Sequence, residues 1–307
     1  MCLALLFPGQ GSQYVGMGRS LADAFPEAAR VFEEADDALE LSISKLAWEG
    51  PEEHLMLTKN AQPAIFVHSI AVYRVIQRRL GEVGLAAGHS LGEFSAHVAA
   101  GTLDFASAVL TVRLRGELMY AAGVERPGMM AAVIGLDDGV VVAVCERADD
   151  EAGVCVPANF NAKGQVVISG DIAGVERGME LAAEAGAKRV VRLSVSGAFH
   201  SPLMAPAAAE FENRLAPLSF HDPVFPVIAN VTAEPVSTGD TARALLVRQL
   251  TTPVRWAASV QHMADAGVDR FLEIGPGSVL RGLNRRIVRR IRCSSLGEPE
   301  DLEAWEP

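Results

Sequence analysis

The sequence predicts an α/β fold, a parallel sheet covered by helices on both faces, with a small βαββαβ domain inserted into it. Three observations carry this. Short apolar runs closed by glycine alternate with helical patterns through the first third of the chain. Within residues 129–196 the order changes, and two strand patterns become neighbours. After residue 200 the alternation resumes. With 307 residues, 50% hydrophobic and 21% charged, the chain is too apolar for general disorder. It is long enough to bury roughly three quarters of its unfolded surface.

Each element has its own signal. Leu3-Ala-Leu-Leu-Phe7 reads as a buried strand that runs into the loop Pro8-Gly-Gln-Gly-Ser-Gln13. A long helical pattern covers 64–80, and a strand at 83–87 meets Gly88-His-Ser-Leu-Gly92. From there one helix is expected to run to Gly101 and another to span about 104–121. The inserted unit reads strand 129–134, helix 137–147, strands 154–159 and 165–170, helix 172–185 and strand 189–195. The tetrapeptide Asn161-Ala-Lys-Gly164 is its expected hairpin turn. This order is ferredoxin-like. Glycines at 123 and 128, and Ser196-Gly197, mark its edges, giving residues 128–197 as the insertion and 1–127 with 198–307 as the main domain. Ser201-Pro202 begins a capped helix. A strand at 224–229, a helix at 241–250 and a strand at 270–274 follow, and Gly275-Pro-Gly277 leads into an arginine-rich helix. The acidic tail from Gly297 is expected to be loosely held.

Composition narrows the function. Twenty-seven basic against 38 acidic side chains give a formal charge of -11, which disfavours nucleic acid as a partner. The N-terminal apolar run lacks a basic flank and is broken at Pro8-Gly9, and no run approaches the roughly 18 apolar residues that span a membrane. A soluble, cytoplasmic protein is expected. Cys2, Cys145, Cys155 and Cys293 show no CxxC pairing and read as free, buried thiols, not as a disulfide frame or a metal site.

Gly88-His-Ser-Leu-Gly92 fits G-x-S-x-G between a strand and a helix. On such a turn the Ser90 hydroxyl projects over the sheet, and the N–H of Leu91 points at an oxyanion formed there. Ser90-Leu-Gly-Glu93 is equally a capping box, which would make the serine a helix cap. Of the seven histidines, His200 stands before a capped helix at the return from the insertion, where a cleft between domains is expected. No acid in the right setting completes a triad. The loop at Gln10 could give a second N–H to the oxyanion, but Tyr14 stands where a dinucleotide loop needs its third glycine. In the helix after residue 104, Arg115 shares a stripe with Ala108, Thr111, Val112, Leu118 and Met119 and so faces inward. It is either half of an internal salt bridge or a clamp for an anionic substrate. Arg281, Arg285, Arg286, Arg289, Arg290 and Arg292 form either a solvated face or a docking patch for an acidic partner.

In this order, Phe7-Pro-Gly-Gln-Gly-Ser-Gln13, Gly88-His-Ser-Leu-Gly-Glu93, Leu114-Arg-Gly116, Ala198-Phe-His-Ser201 and Val247-Arg-Gln-Leu250 together resemble malonyl-CoA:acyl-carrier-protein transacylases and the acyltransferase domains of polyketide synthases. Asn159-Phe-Asn161, Asn230-Val-Thr232 and Glu273-Ile-Gly-Pro-Gly277 extend the resemblance over almost the whole chain. It implies an α/β-hydrolase-like core with a ferredoxin-like insertion. It implies Ser90 as nucleophile, His200 as base, and the backbone amides of Gln10 and Leu91 as oxyanion hole. Arg115 would bind the malonyl carboxylate, and the Gln249 carbonyl would orient the histidine in place of an acid. Leu91 and Phe199 go with malonyl over methylmalonyl. Malonyl-CoA would be the substrate, with no permanently bound cofactor. An acyl carrier protein of fatty acid biosynthesis would be the partner, docked at Arg285, Arg286 and Arg289 on a monomer. The alternatives are a discrete polyketide-synthase acyltransferase, a serine hydrolase, and a non-catalytic binding module.

Overall fold

The computed structural model describes residues 2–306, arranged around two sheets. The larger has six strands: β1 (Leu3–Phe7), β2 (Val83–Gly88), β7 (Val227–Ile228), β8 (Pro235–Val236), β9 (Arg270–Ile274) and β10 (Arg292–Leu296). Its order is β10-β9-β1-β2-β7-β8, parallel except at the β7–β8 edge. Strand β1 therefore lies in the middle, in register with β2 on one side and β9 on the other. Its alternate side chains feed two separate cores, Leu3, Leu5 and Phe7 on one face and Ala4 and Leu6 on the other. Burial on both faces is why the strand is a continuous apolar run without alternation.

The smaller sheet holds β3 (Gly128–Ile134), β4 (Cys155–Ala162), β5 (Gln165–Asp171) and β6 (Arg189–Arg192), antiparallel in the order β4-β5-β3-β6. Helices Asp138–Ala152 and Ile172–Glu184 cover one face and share a core with Met129, Ala131, Val133, Val166 and Ile168. Two backbone bonds tie β4 to the larger half: Val254 N–H donates to the Ala158 carbonyl at 2.8 Å, and Phe160 N–H to the Val254 carbonyl at 2.9 Å.

Helix Thr58–Ile76 begins six residues before the expected pattern and carries Pro63 inside it. Proline has no N–H for the carbonyl four residues back. That carbonyl, on Lys59, accepts from Arg113 at 2.9 Å instead, which locks this helix to Phe105–Glu125. Arg113 also pairs with Glu117 at 2.6 Å, as the i,i+4 spacing predicts.

Several expectations are corrected. The β4–β5 turn is the two residues Lys163-Gly164, because β4 continues through Asn161 and Ala162. Strands β6 and β7 are shorter than expected, and β8, β10 and helix Trp256–Asp265 carried no signal that was read. Helix Val279–Ile287 holds only three of the six clustered arginines, and Arg292 begins β10. Cys145 and Cys155 are buried, but Cys2 and Cys293 only partly so. The tail is firmly docked. Leu302 and Trp305 are buried, and Arg79 donates to both of their carbonyls, at 3.0 and 2.6 Å. The glutamate that made the tail look solvated, Glu298, caps helix Pro299–Ala304 and accepts from Tyr14 and Ser20.

Candidate active site

Strand β2 ends in very tight packing. A Cβ on Gly88 would lie 1.8 Å from the Gly92 carbonyl carbon, and one on Gly92 would lie 2.1 Å from the Phe7 carbonyl oxygen. Glycine at both places lets helix Gly92–Ala99 start directly over the ends of β1 and β2. Between them Ser90 takes φ 50°, a left-handed conformation that costs on the order of 1–3 kcal/mol in a non-glycine residue and needs outside support. Asn230 supplies it from 140 residues away. Its Oδ1 accepts the Ser90 N–H at 2.7 Å, and its Nδ2 donates to the Gly88 carbonyl at 2.7 Å. The capping-box alternative fails here. Ser90 lies before the helix and makes no cap bond, and Glu93 bonds to Asn230 and Gln249 instead.

His200 is the second positive-φ residue of the site, at 58°, and is buried. Its Nδ1–H donates to the Gln249 carbonyl at 2.8 Å. That acceptor fixes the tautomer, so Nε2 carries the lone pair, and it accepts from the Ser90 hydroxyl at 2.8 Å. Burial, and secondly the charge of Arg115, push the His200 pKa down to about 3, so the imidazole is neutral at physiological pH. A carbonyl holds the ring where a triad would use a carboxylate.

Arg115 comes from the middle of helix Phe105–Glu125 and is 1% exposed. Its partners are all neutral: Gln62 Oε1 at 2.6 Å, Gln249 Oε1 at 2.8 Å and Ser90 Oγ at 3.1 Å, with the Phe94 ring 5.8 Å from its Cζ. Burial lowers its pKa to about 10, which leaves it charged at neutral pH. Among the described residues it makes no ion pair within 4 Å, so the internal salt bridge is not formed. A buried cation without a carboxylate, beside a hydroxyl, is able to receive one.

These groups line a cleft of about 340 Å³. The larger half contributes Gln10, Ser90, Leu91, Arg115, Phe199 and His200, and the smaller sheet and the irregular segment leaving it contribute Met130, Asn159 and Leu193–Val195. Among the described residues, neither the Gln10 nor the Leu91 N–H has a protein acceptor, and both residues line the cleft with Ser90. Asn161 Oδ1 and His89 Nε2, 2.8 Å apart, tie β4 to the turn that bears Ser90. Asn230, Glu93 and Gln62 are the site residues that reasoning on single positions missed. The first two lie inside motifs that carried the resemblance, Asn230-Val-Thr232 and Gly88–Glu93. Among the described residues no group of three or more His, Cys, Asp or Glu side chains is placed to hold a metal ion. The six arginines of 281–292 are all exposed, and among the described residues none makes an ion pair within 4 Å.

Residues 4–298 match the model of the acyl transferase domain family. The malonyl CoA-acyl carrier protein transacylase of Bacillus subtilis (strain 168) is 45% identical over 301 residues, which cover 98% of this chain and 95% of that one. The crystal structure of an acyl carrier protein S-malonyltransferase from Vibrio cholerae superposes with a TM-score of 0.95 at 42% identity, covering 99% of each chain. A malonyl-transacylase solved in complex with its type II polyketide synthase acyl-carrier protein also matches with a TM-score of 0.95 at 42% identity, over 99% of this chain and 98% of that one.

Proposed function

The chain belongs to the acyl transferase family, and on that premise we propose that it moves a malonyl group from malonyl-CoA to the phosphopantetheine thiol of an acyl carrier protein, for fatty acid biosynthesis, through a malonyl ester on Ser90. The observation that carries this reading is a bonded Ser90–His200–Gln249 relay beside a buried arginine that lacks a carboxylate. As a malonyl-CoA:acyl-carrier-protein S-malonyltransferase it works in two half-reactions.

In the first, the malonyl carboxylate pairs with Arg115, and this places the thioester carbonyl over Ser90. His200 Nε2 takes the Ser90 proton as Oγ bonds to the carbonyl carbon. The oxyanion is held by the N–H groups of Gln10 and Leu91. The C–S bond breaks, His200 returns the proton to the CoA sulfur, and a malonyl ester remains on Ser90. In the second, the carrier thiol gives its proton to His200 and attacks the ester, and Ser90 leaves with that proton. The Gln249 carbonyl holds the imidazole through both steps without changing charge. Phe199, 5% exposed and facing the cleft, limits the room beside the acyl α-carbon. Arg115 rejects acetyl because burying the guanidinium against a methyl group leaves the cation unpaired.

The carrier docks on the unpaired arginines Arg285, Arg286 and Arg289, and the enzyme acts as a cytoplasmic monomer with no permanently bound cofactor. Among the described residues no helix is long and apolar enough to cross a membrane. A polyketide-synthase carrier is the second reading, favoured by the similar transacylase solved with such a carrier.

The deciding experiment is the intact mass after brief incubation with malonyl-CoA. One malonyl adduct is expected, absent in Ser90→Ala, stable in buffer and discharged by holo acyl carrier protein. Release of malonate to water without a carrier would overturn transfer in favour of hydrolysis.

A further inference from the structure

Beneath the relay lies a carboxylate that the two half-reactions do not use. Glu93 is fully buried in the first turn of helix Gly92–Ala99. Its Oε2 accepts from the Gln249 Nε2 amide at 2.7 Å and from the Asn230 N–H at 3.0 Å. Gln249 thus does two jobs. Its main-chain carbonyl holds His200, while its side-chain amide stands between Glu93 and Arg115, giving Nε2 to the first and Oε1 to the second. The amide has only one workable orientation. Turned over, it would set its NH2 against the guanidinium and its oxygen against the carboxyl group, donor facing donor and acceptor facing acceptor. Glu93 is the group that demands a donor on that side.

We propose that Glu93 is a positioning residue for malonyl selection: through Gln249 it presents an acceptor to Arg115 and aims the guanidinium into the cleft. This rests on the malonyl-transfer reading above.

The acceptor, not the charge, does this work. The second oxygen of Glu93, Oε1, has no hydrogen-bond partner and faces the likewise unpartnered His97 Nε2 at 4.0 Å, in a spot sealed from solvent. Burial raises the Glu93 carboxyl to about 7, against the opposing bonds from Asn230 and Gln249 and the charge of Arg115, and it pushes His97 down to about 3. A carboxyl that is half protonated near neutrality beside a neutral imidazole is a poor source of fixed charge. One unprotonated oxygen toward Gln249 is enough. A glutamine in place of Glu93 can offer that oxygen to Gln249 and Asn230 while turning its NH2 toward His97.

The test compares acylation of wild type, Glu93→Ala, Glu93→Gln, Gln249→Leu and the double variant Glu93→Ala/Gln249→Leu by malonyl-CoA and by acetyl-CoA, read as acyl-enzyme by intact mass, with a melting curve for each. Glu93→Ala should lower the malonyl rate about a hundredfold and the malonyl-over-acetyl preference at least about tenfold. Glu93→Gln should restore both to within about threefold. Gln249→Leu, which keeps the carbonyl for His200, should lose the preference equally, and adding Glu93→Ala to it should cost less than about twofold more. An equal fall for malonyl and acetyl in Glu93→Ala would overturn the proposal in favour of plain packing. Failure of Glu93→Gln to rescue would overturn it in favour of charge. If Glu93→Ala does not fold, Gln249→Leu decides, and an unchanged preference there refutes the proposal. A wild type that forms no malonyl adduct would sink the transfer reading instead, so the two failures are distinct.

Discussion

Two of the regions that hold arginine without a carboxylate partner, the buried Arg115 and the surface run 281–292, differ in almost everything else. Arg115 is 1% exposed, flanked by three neutral oxygens and one aromatic ring. The run from Arg281 to Arg292 is exposed on helix Val279–Ile287, the turn after it and the sheet-edge strand β10. Water and salt serve the surface arginines well, so a partner gains little from each: exposed pairs are worth about 0–1 kcal/mol and weaken with ionic strength. Arg115 has lost its water, and breaking a buried pair costs about 3–5 kcal/mol. On the proposed reading, the same residue type would discriminate between small acyl groups in one place and gather a macromolecule in the other.

The largest effect belongs to the buried site. Arg115→Ala should slow acylation by malonyl-CoA roughly a thousandfold, the rate equivalent of about 4 kcal/mol, while leaving or improving acylation by acetyl-CoA. Parallel intact-mass time courses read both, and an unaltered malonyl rate would erase the distinction between the two regions. Next, Arg285→Glu/Arg286→Glu should weaken discharge to the carrier about tenfold and change self-acylation less than about twofold. Raising salt from about 0.05 to about 0.3 M should act in the same sense on the carrier step alone. Equal losses in both half-reactions would remove the docking role.

The smallest effect is on stability. Burial pushes His97 and His200 down from 6.5 to about 3 and lowers His68 and His89 as well. Between those values the unfolded chain takes up protons that the folded one refuses, so stability held above pH 6.5 is lost as pH falls toward 3. Glu93 works oppositely, its contribution being lost as pH rises from 4.5 through about 7, and the burial-raised Glu273 and Asp138 act in its sense, but these three carboxyls stand against four histidines. The melting temperature should decline steadily below pH 6.5. Because Arg115 helps keep His200 neutral, Arg115→Ala should raise the histidine's pKa, an NMR titration reading that the surface reversals should not share.

Features written in short stretches were legible in the sequence. The glycine pair at 88 and 92, the βαββαβ order and the inward stripe bearing Arg115 all follow from spacing within one or two elements. What was missed is held from far away. Asn230 reaches Ser90 across 140 residues, and Gln249 reaches Glu93 across 156, so nothing near Ser90 reveals which partner makes its left-handed backbone tolerable. The sequence Ser90-Leu-Gly-Glu93 even supports a rival capping box, excluded only by those distant partners. The tail misled for a related reason. Its acidic composition suits solvent, but Leu302 and Trp305 find their cover at Arg79, more than 220 residues earlier.

The central place of β1 has a consequence for the protein's birth. Leu3–Phe7 is made long before one of its two neighbours, β9, which begins at Arg270. At ordinary elongation rates of about 5–20 residues per second, the opening strand waits roughly 15–50 s for that neighbour to be made. Through that interval an apolar edge with unpaired amides is open to other chains.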